Sequence, residues 1–205
     1  MYYTIAFIIF FATFAMMVRE GLWNNLINTA AIVIGGLTAF GLHQPIVVYL
    51  DEQTDGSYTY LWDLLVLWGV FAVTVGVLKG LAQMLSKTRV MYHEKADMPA
   101  GAFFGALCGW LMCCFAMATL HTAPLTRDSF SGGFVYGDTF DQVKSKVSQT
   151  SALTKPDLTW LKLTESMMSP QVLGGDGFSA SVYIHQHAQH RKTFESIKET
   201  LVKRK

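Results

Sequence analysis

Four stretches of this 205-residue chain carry no charged side chain over lengths close to a bilayer's thickness, and this pattern constrains the fold more than any motif does. Residues 1–18, 22–50 and 98–126 contain no Asp, Glu, Lys or Arg, and residues 64–78 are uncharged between Asp63 and Lys79. A helix rises ~1.5 Å per residue and the hydrocarbon core is ~30 Å thick, so about 20 apolar residues cross it. Leu61, Trp62 and the uncharged residues 81–85 bring the third stretch to that length. Lipid offers no partner to free backbone groups, so a closed helical bundle follows. The expected fold is an all-α integral membrane protein. About four transmembrane helices occupy residues 1–125, and a short, mostly helical polar C-terminal tail occupies 126–205. No basic residue precedes the first stretch and Arg19 follows it, which favours a retained helix over a cleaved signal. Pro45 is expected to end or kink the second helix.

The charges divide the chain the same way. Charged residues make up 15% of it, against about 25% in an ordinary soluble domain. Residues 125–205 hold eleven of the 16 Lys and Arg, and that half reads as water-soluble sequence. No basic patch with interleaved aromatics points to nucleic acid. The bilayer is the first partner, with other membrane proteins or a second copy next. Cys108, Cys113 and Cys114 all lie in the fourth stretch, so the tail needs no disulfide.

Basic residues in short loops set orientation. Lys87, Arg89 and Lys95 follow the third stretch, whereas Asp51, Glu52 and Asp55 follow the second. Alternation then places Arg19 inside and both termini on the non-cytoplasmic side. Trp23, Tyr49, Tyr58, Tyr60 and Trp62 lie near segment ends, where amphipathic rings favour the interface. Trp68 and Trp110 read as packing residues.

Helices in lipid associate through close backbone approach, which small residues permit. The fourth stretch has Gly101, Gly105 and Gly109 on one face; the third has Gly76 and Gly80; the second has Ala31, Gly35 and Ala39. Together these predict a compact bundle. Asp97 followed by Gly101, Gly105 and Gly109 resembles the D-x3-G-x3-G-x3-G pattern of the colicin V production protein family. The Val18-Arg19-Glu20 turn is similar to that family's Arg-Glu turn. The likeness covers residues 5–123 and departs at Met98 and Cys108, where the family commonly has arginine. It implies a multi-pass protein of the bacterial inner membrane, linked in the namesake to colicin V production.

Few residues suggest chemistry. Arg19 and Glu20 read as a cytoplasmic anchor or a pivot. Asp63 and Lys79 stand ~24 Å apart along one helix, too far to pair. Asp63 lies about a turn inside the interface, where an ionisable group is a functional-site hypothesis. Asn24 and Asn28 share a helix face, as interhelical glue or as part of a polar path with Asp63. His43 and His121 read as interfacial residues, and the cysteines as packing residues. His187 and His190 sit one turn apart beside His185 without a nearby carboxylate in sequence, a weak basis for a metal site. No GxSxG, HExxH or P-loop is present. No cofactor, metal or catalytic residue is therefore expected.

In the tail, residues 126–138 read as a linker, and Pro170, Gly174, Gly175 and Gly177 mark a second break. Helices are expected around Phe140, Val143 and Val147, and after Pro156 around Leu158 and Leu161. A last one is expected along Phe194, Ile197 and Leu201, with Glu199 and Lys203 paired. The leading functional expectation is a non-enzymatic membrane protein assisting export, toxin production or envelope assembly through helix and partner contacts. A transporter or channel subunit with a polar path near Asn24, Asn28 and Asp63 is the alternative. An intramembrane enzyme using Cys114 and His121 comes third.

Overall fold

A computed structural model describes residues 1–54, 59–85, 94–123, 129–151, 154–169 and 177–203. Asp55, Tyr58, Lys87, Arg89, Pro170, Gly174 and Gly175 lie outside the described residues. So do the side chains of Tyr60, Lys95, Phe194, Ile197, Glu199, Leu201 and Lys203.

All regular structure among the described residues is helical: α1 (Tyr2–Met17), α2 (Gly21–Gln53), α3 (Thr59–Leu85), α4 (Glu94–Thr119), α5 (Phe140–Gln149), α6 (Pro156–Met167) and α7 (Ala180–Lys203). Among the described residues three helices are long and apolar enough to cross a membrane: Gly21–Gln53, Leu61–Leu85 and Asp97–Thr119. The apolar α1 has 16 residues and is shorter than these. The chain runs up and down, with α4 packed between α1 and α2 and α3 laid along α2. Helix α2 continues through Pro45 to Gln53, so the proline does not end it. Proline removes only one donor from this 33-residue helix, and the neighbouring turns and packed side chains carry the rest.

The hydrophobic core does not stop at residue 125. Helix α6 starts with Pro156 in its first turn, where the missing N–H costs nothing. It places Leu158, Trp160, Leu161 and Thr164 on one buried face. That face enters the core formed by α2, α3 and α4. The Trp160 ring lies 5.3 Å from Phe115 of α4 and 6.5 Å from Phe40 of α2, centroid to centroid. Phe115 in turn stacks on Phe71 of α3 at 4.2 Å.

Close approach at α2 makes room for the indole. A β-carbon added at Gly36 would stand 2.1 Å from a Trp160 ring carbon, so only glycine fits without displacement. The segment expected as a linker also turns inward. Phe134 and Tyr136 are buried, and a β-carbon at Gly133 would meet the Tyr2 ring at 2.6 Å. Helix α5 buries Val143 and Val147 as its spacing predicts, and packs on α7.

Candidate functional site

The two ends of the bundle each carry an organised polar centre. At one end α1 turns into α2 at Arg19 and Glu20, both exposed. Gly21 follows with φ +78°, a left-handed conformation that glycine adopts without a steric penalty. Asp97 of α4 faces this turn, and its Oδ1 accepts a hydrogen bond from the Leu22 N–H at 3.2 Å. The carboxylate thus satisfies one of the free amides at the start of α2 and opposes the positive end of its dipole.

The glycine ladder explains how the helices reach this distance. A β-carbon at Gly101 would stand 3.2 Å from the Gly21 and Leu22 backbone; at Gly105, 3.4 Å from Met17; at Gly109, 3.1 Å from the Phe10 carbonyl. Gly35 plays the same part between α2 and α3, facing Val75 and Phe71. Gly76 and Gly80 do not: among the described residues a β-carbon on either meets nothing within 4 Å. The expected α3 seam instead runs through Val66, Leu67 and Phe71, which are buried.

Among the asparagines, Asn25 and, as expected, Asn28 bond across helices. Asn25 is fully buried and its Nδ2 donates to the carbonyls of Met17 and Gly101, both at 2.9 Å. Asn24, which was expected in that role, donates to Glu20 at 3.2 Å within its own helix start. Asn28 is buried and donates to the Met17 sulfur at 3.2 Å. Cys108, standing where the resembled family commonly has arginine, contacts the Thr29 hydroxyl at 3.1 Å and the Asn25 carbonyl at 3.4 Å. Met98, at the other such position, is 82% exposed.

Asp63 belongs to the opposite end. Its Oδ2 lies 3.9 Å from His187 Nε2 of α7. Between the Asn28 and Asp63 levels α2 presents Ile32, Gly35, Ala39 and Phe40, all buried. The described residues therefore do not join Asn24, Asn28 and Asp63 into one polar path.

The second centre, at this opposite end, is Asp157. It is fully buried, yet it collects three donors from three parts of the chain. The Tyr2 hydroxyl of α1 donates to Oδ1 at 2.5 Å. Tyr136 donates to Oδ2 at 2.6 Å, and His121, just past α4, approaches Oδ2 through Nε2 at 2.9 Å. Lys155 caps the cluster, donating to the Gly133 carbonyl at 2.9 Å with its ammonium 4.2 Å from the Tyr136 ring centroid. Burial would raise the Asp157 carboxyl, but the hydrogen bonds from His121, Tyr136 and Tyr2 hold it below the ordinary carboxylate value. Burial lowers His121, so a neutral imidazole donates Nε2–H to a carboxylate anion. Burial and the same anion push the Tyr136 phenol far up and keep it protonated.

Sequence reasoning placed His121 at an interface and passed over Asp157. The only local sign was an acid behind Pro156 at a helix start, which reads as a dipole partner rather than as a hub. Its ligands are 155, 36 and 21 residues away.

These groups predict a pH profile for the stability of the docked tail. Burial lowers His187 to about 3, and His121 moves in the same direction. Both therefore bind protons in the unfolded chain near pH 6.5 but not in the folded one. Stability contributed by their neutral forms is complete above about pH 6.5 and falls below it, at about 1.4 kcal/mol per pH unit for each group. Asp157 is shifted down, so its contribution is present above about pH 4 and lost only at lower pH. Stability read by denaturation should be flat from pH 8 to about 6.5 and then fall toward pH 5, and His187→Gln should shallow the fall by about one proton. An unchanged slope in that variant would remove His187 from the account.

The fold and its two centres define a multi-pass helical membrane protein whose polar C-terminal segment is built into the bundle. The chain matches the model of the Colicin V production protein family over residues 3–148 and belongs to that family. The matched region runs from α1 into α5 and ends before Asp157, α6 and α7. No curated protein and no solved structure matches the chain.

Proposed function

We propose that this chain is a non-enzymatic protein of the bacterial inner membrane that assists production or export of a colicin V-type toxin, or assembly of the envelope. It acts by holding other membrane proteins, or a second copy, rather than by turning over a substrate. Both termini lie on the non-cytoplasmic side, so residues 126–205 present a surface there.

The observation that carries this reading is the union of tail and bundle around Asp157. The tail is packed down onto the ends of α1 and α4 by a buried carboxylate, which makes a rigid platform instead of a tethered module. A second support is the lipid-side face of α3. Val73, Val77, Leu81 and Met84 are exposed there beside Gly76, and a β-carbon at Gly80 on the same helix meets nothing within 4 Å among the described residues, which leaves close approach open to another helix.

The test is site-specific photo-crosslinking in native membranes from Val77 on α3 and from exposed Lys144 on α5, with a tag after Lys205 reporting sidedness. Discrete protein adducts from either site, with the tag accessible from outside the inner membrane, are the expected result. Lipid adducts alone from both sites, or a cytoplasmic tag, would count against the proposal.

A further inference from the structure

Helix rise converts residue number into height above the membrane's near edge, and the heights put part of the polar tail at hydrocarbon depth. Arg19 and Glu20 are charged and exposed, so the near edge of the hydrocarbon lies at their turn or above it. Gly21 opens α2 at this level. Gly101 of α4 stands beside it, with a β-carbon there 3.2 Å from the Gly21 backbone.

From this level α2 climbs about 22 Å to Gly36, and α4 climbs about 21 Å to Phe115. Trp160 of α6 meets both residues. Two separate helices therefore assign the indole one height. A hydrocarbon layer about 30 Å thick continues about 8 Å beyond it. Helix tilt shortens the climb, and a near edge above the Arg19 turn lifts the far edge; either places the ring deeper still. The lipid-facing side chains agree. Leu42, about 31 Å up α2, is 48% exposed, and Leu65, near the far end of α3, is 50% exposed.

The ends of α6 fix its slope. Asp157 bonds to Tyr2 at the far end of α1. Met168, just past the last turn of α6, comes within 3.3 Å of a β-carbon placed on Gly41, which stands about 30 Å up α2. Both ends of α6 thus stand near the far edge of the hydrocarbon, and Trp160 hangs beneath them.

Polar groups at such depth persist only where the protein itself satisfies them. Thr159 and Thr164 donate to the Lys155 and Trp160 carbonyls at 3.2 and 3.0 Å. Lys162 reaches the Thr150 carbonyl at 2.9 Å, and Asp157 has its three donors. The Trp160 N–H finds no acceptor among the described residues, a cost that burial of its ring exceeds.

We infer that α6 is a re-entrant helix, lying across the bundle inside the far part of the hydrocarbon layer and filling the space between α2 and α4. Its surroundings at that depth are protein and acyl chains, so a water-borne partner on the far side meets α5 and α7 instead. The inference holds whichever way the chain is oriented. A tag after Lys205 found on the cytoplasmic side would sink the proposed function and leave this one standing.

The test uses the full chain in phosphatidylcholine nanodiscs, with 5-fluorotryptophan at its five tryptophans. Trp160→Phe, Trp110→Phe and Trp62→Phe assign the fluorine resonances; where one of these does not fold, substituting the other tryptophans assigns its resonance by elimination. Phosphatidylcholine carrying a nitroxide is then added, with the label either near the headgroup or at mid-chain. Burial holds both labels off a ring alike, so the ratio of the two broadenings reports depth. Trp110, about 14 Å up α4 from Gly101, lies near the midplane and should be broadened more by the mid-chain label. Trp62, at the far end of α3, should be broadened more by the headgroup-side label. Trp160 is expected to side with Trp110, its mid-chain broadening the larger by about 1.5-fold or more. Headgroup-side broadening of Trp160 equal to or above the mid-chain value overturns the inference. So does broadening of Trp160 by a water-soluble gadolinium chelate as strong as that of Trp62.

Discussion

Asp157→Ala is expected to release the tail from the bundle at a cost of about 3–5 kcal/mol, the range for removing one partner of a buried charged network. The substitution leaves two phenols and an imidazole N–H buried without an acceptor, and each such orphan costs about 1–3 kcal/mol. Asp157→Asn keeps one acceptor oxygen and should lose roughly half as much. Tyr2→Phe removes a single hydrogen bond to the anion and should cost about 1.5–3 kcal/mol. Limited proteolysis reads the outcome directly: residues 126–205 should become cleavable in Asp157→Ala while the helices survive. Protection equal to the unaltered chain would show that apolar packing alone holds the tail.

Apolar packing is the other large contribution, and Trp160 is its centre. Trp160→Ala should destabilise the chain by about 3–5 kcal/mol, because the indole is wholly buried among Phe40, Phe115 and Gly36. Gly36→Leu attacks the same contact from the other side, forcing side-chain atoms into the ring, and overpacking of this kind costs about 1–3 kcal/mol. The informative measurement is the double variant. Leucine at 36 can occupy part of the space the indole vacates, so Gly36→Leu with Trp160→Ala should be more stable than the sum of the single changes predicts. Strict additivity in thermal unfolding would mean that the two residues do not share one site.

Much of the bundle was legible from residue order because lipid imposes a one-dimensional rule. Uncharged length fixes a helix, and glycine spacing fixes which face approaches a neighbour, as at Gly101, Gly105 and Gly109. The same rule could not separate Gly35, which faces α3, from Gly36, which faces Trp160, since the two are adjacent and chemically identical. Nor could it tell that Gly76 and Gly80 face away from the chain's own helices. Asn25 escaped notice because helical spacing paired Asn24 with Asn28, and only the approach of α4 shows which amide is enclosed.

The tail was misjudged for a different reason. Its hydrophobic residues are sparse along the sequence, and a polar stretch with a few buried anchors looks like a solvated one until the anchors meet. Asp157 is the clearest case. A charge in a polar segment signals exposure, and nothing local announces that Tyr2, His121 and Tyr136 converge on it. Asp63 was marked as unusual by its depth, yet its partner His187 lies on a helix whose position no local pattern could supply.

The bond between Tyr2 and Asp157 also orders events in time. One end of it lies on the first apolar helix, and the other comes 155 positions later, after all four apolar helices have emerged. Closing so long a loop is entropically costly and slow, so this contact forms among the last. Until then the first helix has no acceptor for its phenol and α6 has no pocket for its indole. A chain that stalls, or that leaves one helix outside the bilayer, cannot bring the two ends to the same side. The latch can therefore close only on a chain whose crossings bring Tyr2 and Asp157 to the same side.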